Sequence, residues 1–145
     1  MNQNVVKVET SSTATFLEHE AIAKLHHAFY GFSPDFYAAE THSPHACLGV
    51  IGSGGTVANI TALWCARNAA LGPRGDFPGV ERSGLHRALR HYGYEDAVII
   101  GSENMHYSFV KAADILGIGT DGLVRIPVRP DFSVEYANIE FVLAR

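Results

Sequence analysis

Residues 49–61, GVIGSGGTVANIT, set three glycines within four positions between an apolar run and the start of a helical pattern. Backbone bared in this way can lie against an anion. A helix N-terminus offers unpaired N–H groups and roughly half a positive charge, and glycines let a phosphate approach them closely. Gly54, Gly55 and Thr56 fit that description, the threonine hydroxyl supplying one more hydrogen bond. The same run would serve equally as a tight strand-to-helix turn that binds nothing. Rival phosphate motifs fail on their own residues. A Walker A loop ends in Gly-Lys-Ser/Thr, and no lysine is near. A dinucleotide fingerprint needs a third glycine where Val57 stands, and its acidic partner would fall at Asp76, in a loop. A serine-hydrolase elbow fails too, since glycine occupies the nucleophile position of GSGGT.

Eight histidines raise the question of a metal. His42 and His45 form the nearest non-adjacent pair, but only Glu40 joins them at ligand spacing, so no metal site is expected. His26 and His27 point in different directions from one helix, and His86 and His91 stand among arginines; all four read as surface residues. His106 differs. It follows the strand-like AVIIG and opens a helical pattern, where parallel α/β sheets place residues that contact ligands. A histidine that simply caps its own helix is the competing reading.

These residues need a scaffold, and the chain supplies its signals. Residues 12–30 read as a helix with Leu17, Ala21, Leu25 and Phe29 along one face. Residues 31–46 read as a loop broken by Pro34 and Pro44, and CLGVIG as a short buried strand. Residues 56–70 form a second helix with Val57, Ile60, Leu63 and Trp64 on one face; LGPRGDFPG is a surface connection, and residues 80–92 a polar, exposed helix. Residues 97–101 are a buried strand. Residues 105–117 form a helix burying Phe109, Ala112, Ala113 and Leu116, with Gly117 as its C-cap, and residues 123–128 a further strand. Strands alternating with helices predict an α/β fold, a mostly parallel sheet covered by helices. VEYANIEFVLAR sets Tyr136, Ile139, Val142 and Leu143 on one more helical face, so the chain is expected to stop in mid-fold.

Composition bounds the function. The 145 residues, 47% hydrophobic and 18% charged, are those of one globular domain. A net charge of -4 without a basic block speaks against nucleic acid or an anionic membrane as partner. Cys47 and Cys65 lie in apolar stretches and are expected as buried free thiols. Neither a signal peptide nor a membrane-spanning run is visible, which predicts a cytoplasmic protein.

Taken together, SGGTVAN followed by AR, HYSFVKAADILG and TFLEHEAI resembles the pyridoxal-phosphate-dependent amino-acid decarboxylases, which include the glutamate, aspartate and aromatic enzymes. The matches run from Thr15 to Gly119, and the wording is closest to bacterial aspartate 1-decarboxylases. The resemblance implies part of an aminotransferase-like, fold type I large domain: residues 1–45 an N-terminal helix and loop, residues 46–145 the first part of the cofactor-binding sheet. It implies that Gly55 and Thr56 hold the pyridoxal 5'-phosphate group, that Ser53 and Gly54 shape the turn, and that His106 stacks on the pyridine ring. Val57 stands where the family usually has glutamate. It further implies a homodimer at full length, and removal of the α-carboxylate from a small acidic amino acid, aspartate or glutamate. The family's lysine, which forms the Schiff base, directly follows a histidine. The only lysines here are Lys7, Lys24 and Lys111, none of them so placed. That lysine and the acid at the pyridine nitrogen are expected beyond Arg145, leaving this chain inactive alone. Two other readings remain open: a non-catalytic phosphate-binding module, and a fold type I enzyme of other chemistry, an aminotransferase or lyase.

Overall fold

A computed structural model describes residues 11, 13–134 and 139. The terminal helix expected around Tyr136, Val142 and Leu143 lies outside the described residues. The chain divides into two compact units, Met1–Ser53 and Gly54–Arg145.

In the first unit, α1 spans Thr13–Tyr30 and α2 Pro34–Glu40. On α1 the apolar row faces outward: Leu17, Leu25 and Phe29 are exposed, while Thr15, Ile22 and Ala23 are buried. The segment after α2 decides this, because it crosses the other side of the helix. A Cβ on Gly49 would lie 3.1 Å from Ile22 Cγ2, and Ile51 donates its N–H to Glu18 Oε1 at 3.1 Å. CLGVIG, expected as a buried strand, is irregular, and Val50 and Ile51 are exposed. Its backbone bonds to a helix side chain, and it has no ladder partner among the described residues. The expected loop at 31–46 contains α2, for Pro34 starts a helix here and breaks none. It occupies the first turn, where a missing N–H costs nothing, and Ser33 Oγ caps the helix by accepting the Phe36 N–H at 3.2 Å.

The second unit opens with α3, Gly55–Ala70. The expected helix at 80–92 is two helices, α4 (Val80–Ser83) and α5 (Leu85–Tyr92), separated by Gly84 at φ +79°. They are not merely an exposed layer. Val80 and Ala88 bury with Leu71 in a small core backed by Phe77, Leu85, Leu89 and Tyr92.

The strand β1 covers Ile99–Ser102 and β2 Leu123–Ile126; they pair in parallel, with Ile99 opposite Leu123 and Ser102 opposite Ile126. Parallel neighbours need a crossover, and α6, Ser108–Ile115, provides it. Of the four residues expected inside, Ala112, Ala113 and Leu116 (the last just past the helix end) are buried, whereas Phe109 is only half-buried. Gly117, at φ +74°, ends it: the Gly117 N–H bonds Asp114 O and the Ile118 N–H bonds Ala113 O, the paired bonds of a Schellman motif. Helix α3 packs on α6, and Arg67 Nη1 donates to Leu116 O at 2.9 Å.

Candidate functional site

Ser53 and Gly54 form a bend, and α3 begins at Gly55. Gly54 is the N-cap residue, extended at φ 168° and ψ 165°, and no side chain caps the helix. The first intrahelical bond runs from the Ala58 N–H to Gly54 O at 3.0 Å, so the N–H groups of Gly55, Thr56 and Val57 lead the helix. A Cβ built at Gly54 or Gly55 meets nothing within 4 Å. This is an open backbone surface with the positive end of a 16-residue helix behind it. Thr56, in the first turn, is half-buried; Val57 is 47% exposed.

His106 lies just past the C-terminal end of β1, in the turn that leads into α6. The turn is tied at several points. Glu103 donates its N–H to Ile126 O at 2.8 Å, and its Oε1 accepts the Val128 N–H at 3.0 Å. Arg125 Nη1 donates to Glu103 O at 2.9 Å. Gly101 carries no side chain to obstruct Met105, whose Sδ would be 2.9 Å from a Cβ there. His106 itself is exposed, with the Tyr107 ring tilted beside it at 4.1 Å between centroids.

One buried residue links the two halves of the site. Ser108, wholly inaccessible, has its Oγ 2.8 Å from Asn59 Nδ2 and 3.0 Å from His106 Nδ1, and its N–H donates to that Nδ1 at 3.2 Å. Asn59 stands one turn into α3, about 6 Å along the axis from Gly55. The glycine-rich helix start and the histidine turn are therefore parts of one arrangement. Sequence reasoning passed over both connecting residues, although they stand inside the strings GTVAN and HYS.

The other candidates separate from this arrangement. His42 Nε2 sits 2.9 Å from Glu20 Oε1, on the surface of the first unit. His26 Nδ1 is 2.9 Å from the Tyr37 hydroxyl, and His91 stacks on Phe77 at 4.3 Å, so neither is simply solvated. Among the described residues, no three His, Cys, Asp or Glu side chains converge as metal ligands. Cys47 and Cys65 are exposed, contrary to expectation. Cys65 lies on the side of α3 turned from α6, and Cys47 lies in the irregular segment after α2. Lys111 Nζ rests over the Tyr107 ring, 5.0 Å from its centroid. No helix among the described residues is long and apolar enough to cross a membrane.

No protein-family model matches the chain. It is 45% identical, over all 145 residues, to an aspartate 1-decarboxylase of Aliivibrio fischeri, of which it covers 26%. Among solved structures it superimposes on the glutamate decarboxylase domain of a diaminobutyrate-pyruvate transaminase and L-2,4-diaminobutyrate decarboxylase from Vibrio parahaemolyticus, with a TM-score of 0.64 at 22% identity. Mouse CSAD gives a TM-score of 0.66 at 21% identity. Each superposition covers 99% of this chain, and 27% and 25% of those chains respectively. The fold is that of the matching quarter of those two chains. The resemblance seen in the sequence therefore stands, and the parallel pair β1–β2 with its helices is part of the aminotransferase-like, fold type I large domain. The chain spans about a quarter of the length of the relatives it matches.

Proposed function

We propose that this chain carries one side of the cofactor site of a pyridoxal-phosphate-dependent decarboxylase acting on a small acidic amino acid, aspartate or glutamate. The observation that carries the reading is the uncapped start of α3, its glycines open to approach, joined through Asn59 and Ser108 to an exposed His106. The residues fit the group. Gly55 and Thr56 would hold the phosphate by backbone N–H groups and the Thr56 hydroxyl, Ser53 and Gly54 would shape the turn, and His106 would lie against the ring.

Pyridoxal phosphate, when bound, supplies an electron sink for the bond that breaks at the α-carbon. This chain's residues bind and orient. The α3 start fixes the anionic end, and His106 presents a flat ring at the C-terminal edge of β1, where open α/β sheets bind ligands. The lysine and the carboxylate that such chemistry needs belong, on this reading, to residues beyond these 145, and the active protein is a cytoplasmic homodimer. The alternative of a phosphate-binding module without catalysis rests on the same helix start but gives His106 no role.

Cofactor titration of the full-length protein tests the proposal. Thr56→Ala should weaken binding by roughly 1.5–3 kcal/mol, the worth of one hydrogen bond to a charged group. Equal affinity of wild type and variant would remove the threonine from the phosphate site. A full-length protein that binds no pyridoxal phosphate would end the proposal.

A further inference from the structure

The geometry points to Asn59 and Ser108 as positioning residues that hold His106 in one tautomer, with the proton on Nε2 and the ring edge locked to the start of α6. The decisive donor is a backbone group. The Ser108 N–H points at His106 Nδ1 at 3.2 Å, and a main-chain N–H cannot reverse its polarity as a hydroxyl or an amide can. Nδ1 must therefore be the unprotonated nitrogen, which leaves the proton of the neutral ring on Nε2.

The side chains agree with that assignment. Asn59 Nδ2 donates to Ser108 Oγ at 2.8 Å, so the hydroxyl proton is free to point along the 3.0 Å contact to Nδ1. Ser108 is fully buried, and its hydroxyl has no solvent to turn to. The two donors share the single in-plane lone pair of Nδ1 in a three-centre bond, and the chain Asn59–Ser108–His106 runs in a single direction. The outcome is a ring whose orientation is set by α3 through Asn59, 49 residues before Ser108 in the chain. Its Nε2–H is left as the outward donor, a group suited to a carboxylate.

The importance of this lock to decarboxylation rests on the reading above, but the tautomer does not, and the test keeps them apart. Neutron diffraction from deuterium-exchanged crystals of the full-length protein, without added cofactor and at a pH above the imidazole range, reads the proton positions directly. Deuterium on Nε2, none on Nδ1, and the Ser108 hydroxyl aimed at Nδ1 are expected. Deuterium on Nδ1 overturns the inference, whatever the cofactor does. The near-isosteric Asn59→Asp replaces the donor by an acceptor, so the Ser108 deuterium should swing to the new carboxylate. In the loaded enzyme its kcat should fall about tenfold with KM and cofactor affinity held within about twofold, as for loss of one neutral hydrogen bond felt in the transition state. An unmoved hydroxyl, or an unchanged kcat, overturns the part assigned to Asn59. Failure to bind pyridoxal phosphate at all would defeat the proposed function and leave the tautomer standing.

Discussion

Two glycines, Gly101 within β1 and Gly122 just before β2, should respond very differently to the same added methyl. At Gly122 a Cβ would lie 2.7 Å from Ile118 Cγ2 and 3.1 Å from the backbone oxygen of Ala97. Neither neighbour can give: Ile is stiff at χ1, and moving Ala97 O drags the approach to β1. At Gly101 the Cβ would be 2.9 Å from Met105 Sδ and 3.2 Å from its Cε, the far end of a side chain with three rotatable bonds. Overpacking costs about 1–3 kcal/mol, and Gly→Ala recovers about 0.4–1 kcal/mol through the unfolded chain. Because neither neighbour of Gly122 can give, its overpacking falls at the top of that range and Gly122→Ala should lose about 2 kcal/mol net, whereas Gly101→Ala should come out near zero. Amide hydrogen exchange of the strand-pair N–H groups in the full-length protein reads this locally. Protection should fall about thirtyfold for Gly122→Ala and by less than about threefold for Gly101→Ala, at about 1.4 kcal/mol per factor of ten. Equal losses in the two variants would refute the reasoning, because they would mean that the methionine is as immovable as the isoleucine and the backbone.

The histidine variants separate stacking from capping. His106→Phe keeps a flat ring and should retain most cofactor affinity, while His106→Ala should lose more, since aromatic stacking contributes roughly 0.5–1.5 kcal/mol beyond buried area; wild-type affinity in His106→Ala would exclude the stack. Phe132 is exposed and sits at φ +65° in the turn where Asp131 bonds Ser133; relief of roughly 1–2 kcal/mol of strain, less the roughly 0.4–1 kcal/mol that glycine's unfolded-state freedom costs, means Phe132→Gly should stabilise by about 1 kcal/mol, measured by the denaturant midpoint. Purified residues 1–145 should release no CO2 from aspartate or glutamate with added pyridoxal phosphate, because none of Lys7, Lys24 or Lys111 follows a histidine; turnover would show that a lysine of this chain serves.

What the sequence made legible was whatever periodicity and punctuation encode. The inward face of α6, its glycine stop at Gly117 and the parallel pairing of β1 with β2 all follow from local pattern. The failures share a different cause. A row of Leu17, Ala21, Leu25 and Phe29 shows that a helix has an apolar side, but not which side a later segment will cover; here the chain around Gly49 crosses at Ile22. CLGVIG has the composition of a strand, yet a strand exists only with a partner, and the Ile51 N–H finds Glu18 instead. Pro34 reads as a breaker or a starter depending on whether Ser33 turns its hydroxyl back to Phe36. Asn59 and Ser108 were invisible as a pair for the same reason, since nothing local announces a bond across 49 residues.

Stacking and capping entered as competing accounts of His106, but they would use different parts of the ring. A cap uses the edge of an imidazole: Nδ1 lies in the ring plane and accepts the Ser108 N–H there. A stack uses the face, which an in-plane bond leaves untouched. The two roles also support each other energetically. An exposed ring free to rotate would lose rotamer entropy on meeting a cofactor, whereas one already held by two donors from a fully buried serine has lost most of that freedom on folding. Capping the helix is thus how this chain would hold a flat ring still at the edge of its sheet. The Asn59 bond ties that edge to α3, so the histidine and the glycine-rich helix start keep a fixed separation, as two contacts to one rigid cofactor would require.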